Sequence, residues 1–228
     1  SEGSTPYIWA GFDAMKVLCS KFNDHPEKAS RPLSATSGGF IPGSGSGILF
    51  LESLESAQKR GAHIYVEILA GTVNSGGHRL GGSMTAPSPT SVRRCIQNTI
   101  DTAKIQPGEI DLINGHLTAT FADPLEVENW SSALGLSGEN FPYIQSTKSM
   151  IGHCLGAAGS IESVAAILQL EEGFIHPSIN SEDPHEKLEK FSNKIPQKVI
   201  EKKIQTVAKA SFGFGDVNGC LIFKKWKN

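Results

Sequence analysis

The sequence predicts a layered α/β fold, and three observations predict it. Short apolar runs alternate with segments of helical period from Gly47 onward. Glycines cluster at Gly38–Gly47, Gly71–Gly82 and Gly152–Gly159, which reads as tight turns inside a compact enzyme-like fold rather than as linkers. The last two apolar runs flank Phe212-Gly213-Phe214-Gly215, a turn that suits an antiparallel strand pair.

Each element has its own signal. Ile8, Phe12, Met15, Leu18, Cys19 and Phe22 recur at helical spacing and predict a helix over Ile8–Phe22. A loop with Pro26 and Pro32 follows. Gly47–Glu52 (GILFLE) reads as a buried strand, Ser53–Arg60 as a short helix and Ala62–Thr72 as a second strand. Val73–Pro89 is a long Gly-rich loop, of the length that is usually functional or disordered. Thr90–Ala103 is a helix that Ser91 can cap, with Val92, Cys95, Ile96, Thr99 and Ile100 on one face. Ile110–Asn114 is a short buried strand leading to His116, Pro124–Leu134 a helix, and Tyr143–Ser146 another strand. Ala157–Glu171 is a strongly apolar helix. Ile175–Val199, with Pro177, Pro184 and Pro196, is irregular, and Gln205–Phe212 and Val217–Phe223 are antiparallel strands.

After Gly81 these elements suffice for one half-domain. Before it stand one helix and two strands without the companions that would cover both faces. The chain is therefore expected to expose a large apolar surface unless another polypeptide covers it. It starts abruptly at Ser1, as a processed product, one half of a split protein or a trimmed piece would.

Composition narrows the function classes. The 228 residues are 39% hydrophobic with a formal net charge of −2, which fits a soluble globular protein and gives no electrostatic case for nucleic acid. No apolar run approaches the ~20 residues of a membrane helix, and no signal peptide opens the chain. Cys19, Cys95, Cys154 and Cys220 are widely separated, with neither metal spacing nor a disulfide framework, so no metal is expected and a reducing cytoplasm is the default.

Chemistry concentrates in three segments. His116 follows a strand, where α/β folds place catalytic groups, and its imidazole could donate to an oxyanion or be a satisfied structural histidine. Lys148 and His153 are five residues apart and precede a helix N-terminus, whose partial positive charge favours a neutral His153. Lys148 could keep the local field positive or be a surface amine. The glycines around Phe214 could turn a backbone amide towards a ligand, with the aromatic ring as a gate, or form an ordinary hairpin turn. Thr118 and Thr120 lie on one side of an extended segment and could bond a linear polar ligand or simply be solvated. Met84-Thr85-Ala86-Pro87 could line a ligand or form a rigid turn. Cys154 adjoins His153 but points away from it, among small apolar neighbours, and reads as core.

These motifs, in this order, resemble the β-ketoacyl-[acyl-carrier-protein] synthases of the thiolase-like superfamily. The likeness runs from Ala10-Gly11-Phe12 through Arg31-Pro32, Gly39-Phe40-Ile41 and Leu49–Glu52 to Met84–Pro87, Asn114–Thr120, Lys148–Gly159 and Phe212–Asn218. The resemblance implies a thiolase-like layered α/β/α/β/α fold. Residues 1–80 would be the terminal part of the N-terminal half with its last two strands, and residues 81–228 the C-terminal half. It implies a decarboxylating Claisen condensation of malonyl thioester with an acyl thioester, in fatty-acid or polyketide-type biosynthesis. His116, His153, Lys148 and Phe214 match catalytic positions, Thr118, Thr120 and Thr85 the contacts to a pantetheine arm, and Glu162 a buried structural acid. The only cofactor implied is the phosphopantetheine carried by the substrate. The family's nucleophilic cysteine precedes the segment matched here, so the implied partners are an N-terminal ketosynthase portion as a separate chain, an acyl carrier protein, and a second copy of the assembled synthase.

Three departures stand out. Leu117-Thr118-Ala119-Thr120 replaces the usual Gly-Thr-Ser-Thr in a loop one residue short, Gly43-Ser44-Gly45 replaces Gly-Glu-Gly, and Asp216 stands where glycine is common. They point to a specialised pathway rather than housekeeping elongation. Two other readings compete. One is a non-catalytic partner like the chain-length factors, which would have no need of His116, Lys148 and His153. The other is a degradative thiolase relative, which the Lys148–His153 spacing and the Gly-Phe-Gly turn fit less well.

Overall fold

Near the amino terminus Thr5 caps a helix, α1 (Pro6–Ala14), by accepting a hydrogen bond from Ile8 N, with Pro6 preset for the first turn. This computed structural model describes residues 2–76 and 83–227. The helix expected to reach Phe22 stops at Ala14, because Lys16 takes φ 57° and turns the chain. Beyond it Leu18 bridges to Phe40, and Cys19 N donates to Phe40 O. The apolar residues there pack as an extended segment, not a helix face.

The expected strand GILFLE does not form. Ile48 and Phe50 are each 84% exposed, and the segment pairs with no strand among the described residues. Gly47 lies so close to the helix at residues 158–172 that a Cβ would come within 2.6 Å of the Ser160–Ile161 backbone. The chain is pinned there, and the apolar side chains that follow face outward. A short helix, α2 (Leu54–Lys59), follows as expected, capped by Ser53.

β1 (Val66–Ser75) corrects the allocation of strands. It pairs antiparallel with β7 (Val217–Lys225), so the Ala62–Thr72 run belongs to the sheet of the later strands rather than to a separate half. The boundary expected at 80/81 and the middle of the Gly-rich loop lie outside the described residues. β2 (Leu112–Asn114) runs parallel to both β3 (Tyr143–Gln145) and β6 (Thr206–Gly213), and β6 forms the expected hairpin with β7. The sheet order is β1-β7-β6-β2-β3. A two-stranded ribbon, β4 (Phe174–Ile175) with β5 (Ile200–Glu201), brackets the proline-rich segment, and a run of 3₁₀ turns (Glu186–Lys194) sits within it.

One face of the sheet carries α3 (Pro89–Ala103) and α4 (Asp123–Leu134), packed around Ile96, Trp130, Phe141, Phe191 and Ile222. After a single turn of helix, α5 (Lys148–Ile151), the apolar helix α6 (Ala158–Glu172) covers the other face at Leu112, Val207 and Phe223. Strand alternation sorts β6 between the two layers. Ala208, Ala210 and Phe212 join the first cluster, whereas Val207, Lys209 and Ser211 take the opposite face, towards α6. No helix among the described residues is long and apolar enough to cross a membrane.

The cap of α3 is Ser88, not Ser91. Ser91 Oγ instead donates at 2.7 Å to Asp216 Oδ1, which also accepts from Ser88 N at 3.0 Å. This explains an aspartate at φ 59° in the β6–β7 turn, since its buried carboxylate ties the turn to the start of α3. Asp216→Gly relieves the backbone but strands these donors. The expected loss is about 1–3 kcal/mol of unfolding free energy, read by urea denaturation. An unchanged midpoint would show that the tie contributes nothing.

The apolar surface anticipated above is present. A groove of about 580 Å³ runs between the GILFLE segment, β1 and α6, with Ile48, Leu51, Leu54, Tyr65, Ile68 and Leu168 along it. Each of these six residues is at least 39% exposed.

Candidate active site

The first histidine is set by the loop after β2. Leu117 (φ 23°) and Ala119 (φ 62°) adopt left-handed backbone that side-chain-bearing residues avoid. Two buried carboxylates of α4 hold the loop in that shape. Glu126 accepts from His116 N at 2.7 Å and Leu117 N at 2.8 Å. Asp123 accepts from Thr118 N at 2.8 Å, Ala119 N at 3.1 Å and, across the domain, Leu33 N at 2.8 Å. Burial pushes the Glu126 carboxyl up to about 7 in spite of these donors. The segment is thus a carboxylate-strapped bend rather than the extended stretch expected. Its alternating left-handed residues still put Thr118 and Thr120 on one side, with hydroxyls 3.0 Å apart.

The second histidine enters from the turn between α5 and α6. Gly152 (φ 72°) lets the chain lie against Ile41, so that His153 N donates to Ile41 O at 2.7 Å and Gly43 N donates to His153 O at 2.9 Å. A Cβ on Gly43 would sit 2.4 Å from Ile151 O, which accounts for glycine at that position. The rings of His116 and His153 meet edge to face with centroids 5.2 Å apart, and Phe40 packs on His153 at 5.1 Å. His153 Nδ1 accepts from Leu155 N at 3.1 Å. That bond places the ring proton on Nε2, the nitrogen left to donate.

Both imidazoles are neutral near pH 7. Burial, reinforced by the Lys148 charge, brings His153 down to about 3. Burial, then Lys148, His153 and Lys209, holds His116 well below its ordinary value. A neutral His153 was expected from the helix N-terminus, but desolvation is the larger cause. His116 Nδ1 is buried and has no hydrogen-bond partner among the described residues.

Behind the rings lies a charged trio with no more than 2% exposure. Glu162 of α6 receives Lys148 Nζ on Oε1 at 2.5 Å and Lys209 Nζ on Oε2 at 2.7 Å. Burial lowers the Lys148 ammonium below its usual range, against the pull of Glu162. Lys148 is therefore neither a surface amine nor part of the cavity wall. It lies in the interior, paired with Glu162. Sequence reasoning missed Lys209. The signal was a lone lysine within the apolar run Val207-Ala208-Lys209-Ala210, in a strand buried on both faces.

The two imidazoles open onto a cavity of about 390 Å³. Thr85, Thr118, Thr120 and Phe214 line it as well, and Phe12, Phe40 and Phe212 make much of its apolar wall. Phe214 is half-exposed at the mouth with its ring 6.1 Å from that of Phe12. Gly215 N donates to Met84 O at 2.9 Å, fastening the Phe214 turn to the Thr85 loop. None of the four cysteines lines the cavity. Cys154 is buried in the core and its thiol is pushed up by burial. Two neutral N–H donors at the floor of an apolar pocket are equipped to hold an oxygen that gains negative charge.

Comparison with known proteins bears on the family. Residues 65–182 match the family described as "Beta-ketoacyl synthase, C-terminal domain". The chain is 38% identical over 224 residues to the chloroplastic 3-oxoacyl-[acyl-carrier-protein] synthase I of Arabidopsis thaliana, covering 97% of this chain and 46% of that protein. It is 40% identical over 220 residues to 3-oxoacyl-[acyl-carrier-protein] synthase 1 of Escherichia coli K12, covering 95% and 51%. The chain thus spans about half the length of these curated relatives. Among solved structures, a ketosynthase in complex with its type II polyketide acyl carrier protein superposes with a TM-score of 0.90 at 31% identity, over all of this chain and 55% of that one. A β-ketoacyl synthase from Burkholderia phymatum superposes with a TM-score of 0.87 at 26% identity, over 99% and 53%. By sequence and by thiolase-like α/β fold, the chain belongs to the β-ketoacyl synthase family.

Proposed function

We propose that the chain supplies the imidazole and ammonium side of a β-ketoacyl synthase pocket, and that a second polypeptide supplies the cysteine. The observation that carries this reading is a pair of neutral histidines in an apolar cavity that none of the chain's own cysteines reaches. The partner's thiolate attacks an acyl thioester, and the carrier thiol leaves. Malonyl thioester then binds and its carboxylate departs as carbon dioxide, placing the electron pair on the enolate. His116 and the Nε2–H of His153 donate to the enolate oxygen. The enolate carbon attacks the acyl-enzyme carbonyl and the cysteine thiolate is released.

Thr118 and Thr120 bond the pantetheine arm, with Thr85 at the entrance. Phe214 gates it. The phosphopantetheine arrives with the substrate, and no resident cofactor or metal takes part. The exposed groove along GILFLE, β1 and α6 is where the second polypeptide docks, and two such assemblies pair. An acyl carrier protein delivers the substrates, as the solved relative bound to its carrier protein suggests. The reaction serves fatty-acid or polyketide-type synthesis in the cytoplasm.

The test is to purify the chain together with an N-terminal ketosynthase portion. The expected result is an assembly well above 24.4 kDa that releases carbon dioxide from malonyl carrier protein, with the reactive cysteine on the second component. A monomeric 228-residue chain that is stably folded and active alone would overturn the reading.

A further inference from the structure

We propose that Lys209 is a positioning residue for the histidine pair. Its side chain meets the second oxygen of Glu162, so one buried carboxylate faces two lysines behind the two rings. Lys148 hydrogen-bonds Oε1, and Lys209 makes an ion-pair contact with Oε2. Lys209 Nζ donates to Ala210 O and, at 3.2 Å, to Ser211 Oγ, so with the Glu162 ion pair its terminal nitrogen has oxygen on three sides. Strand alternation dictates the placement, because Lys209 shares the α6-facing side of β6 with Val207 and Ser211 while Ala208 and Ala210 pack on the other layer.

The charges around the rings come from several elements. Lys148 stands on α5, Glu162 on α6 and Lys209 on β6, and Glu126 of α4 holds the His116 backbone. Of these, the lysines disfavour a proton on either ring, and Glu162 favours one on His153. The other carboxyl among these groups, Glu126, titrates at about 7. Lys209 therefore adds to burial and to Lys148 in holding the rings uncharged, so that each remains a single-proton donor. That consequence for catalysis rests on the ketosynthase reading. The charge arrangement itself does not.

The experiment follows the imidazole ¹⁵N shifts of His116 and His153 against pH in the intact protein, assigned by His116→Asn and His153→Asn. In Lys209→Met the His153 midpoint is expected to rise from about 3 by ~1 pH unit, a roughly tenfold gain in proton affinity, as loss of one nearby charge requires. Lys209→Arg, which keeps the charge, is expected to restore most of the original midpoint. An unchanged midpoint in folded Lys209→Met, or an equal shift in Lys209→Arg, overturns the proposal. So does a wild-type Lys209 whose Nζ resonates as a neutral amine at pH 7, a measurement that needs no variant to fold. No turnover enters any of these readouts, so the ketosynthase reading can fail while this one stands. If both hold, the acid limb of the decarboxylation profile moves upward in Lys209→Met by the same interval as the His153 midpoint.

Discussion

His153→Ala in the assembled protein is expected to lower malonyl decarboxylation at least ~10²–10³-fold while leaving assembly and fold intact. Removing one preorganised donor to a developing oxyanion has that scale of effect. The site gives reasons to expect no less. The His153 Nδ1 is occupied by Leu155 N, so the ring has a single tautomer and its Nε2–H costs no reorganisation when the enolate forms. The backbone pairs with Ile41 and Gly43 do not involve the side chain, so the turn survives truncation. Carbon dioxide release from malonyl carrier protein is the measurement, and unchanged release would remove His153 from the mechanism. Because His153 titrates at about 3, the wild-type rate should not fall between pH 7 and 5 through protonation of this ring, as it would for an ordinary histidine.

Much of this site was legible because its parts are local motifs. Asn114–Thr120 and Lys148–Gly159 each place a histidine within a few residues of a strand end or a helix start, and short-range geometry carries such information. The layered α/β class followed from the alternation of apolar runs, and most later elements formed within a few residues of their expected bounds. The failures have tertiary causes. GILFLE has the composition of a buried strand, but nothing in the sequence tells that Gly47 would be pinned to α6 and leave Phe50 facing outward. The helical spacing of Leu18 and Phe22 was cancelled by one left-handed residue, Lys16. The partner of β1 is β7, about 150 residues away, and no local pattern ties the two. Lys209 escaped for the same reason. A lysine in an apolar strand is conspicuous, but its meaning depends on a glutamate 47 residues earlier on a helix that crosses the same face of the sheet.

Glu162→Gln is the second large effect, and it bears on stability rather than rate. The substitution preserves volume and leaves two ammonium groups buried with no carboxylate between them. Breaking a buried ion pair from one side costs about 3–5 kcal/mol, because the remaining charge is stranded in low dielectric. Here the stranded charge is doubled, and a domain with ~5–15 kcal/mol of total stability is pushed close to unfolding. Lys209→Met removes one of the two cations and leaves Lys148 paired with Glu162, so it should cost far less, although it touches the same carboxylate. The pH dependence separates this account from a simple packing defect. Lys148 binds its proton less readily in the folded chain than its ordinary value of 10.5 implies, so the unfolded chain takes up more protons and stability rises as pH climbs towards 10.5. Losing Glu162 removes the main force that holds the proton on Lys148, so this rise should be steeper in Glu162→Gln than in wild type. Urea midpoints at pH 7 and pH 9 measure it: the gap between variant and wild type narrows at the higher pH. A gap that stays constant would mean that Glu162 does not hold the proton on Lys148.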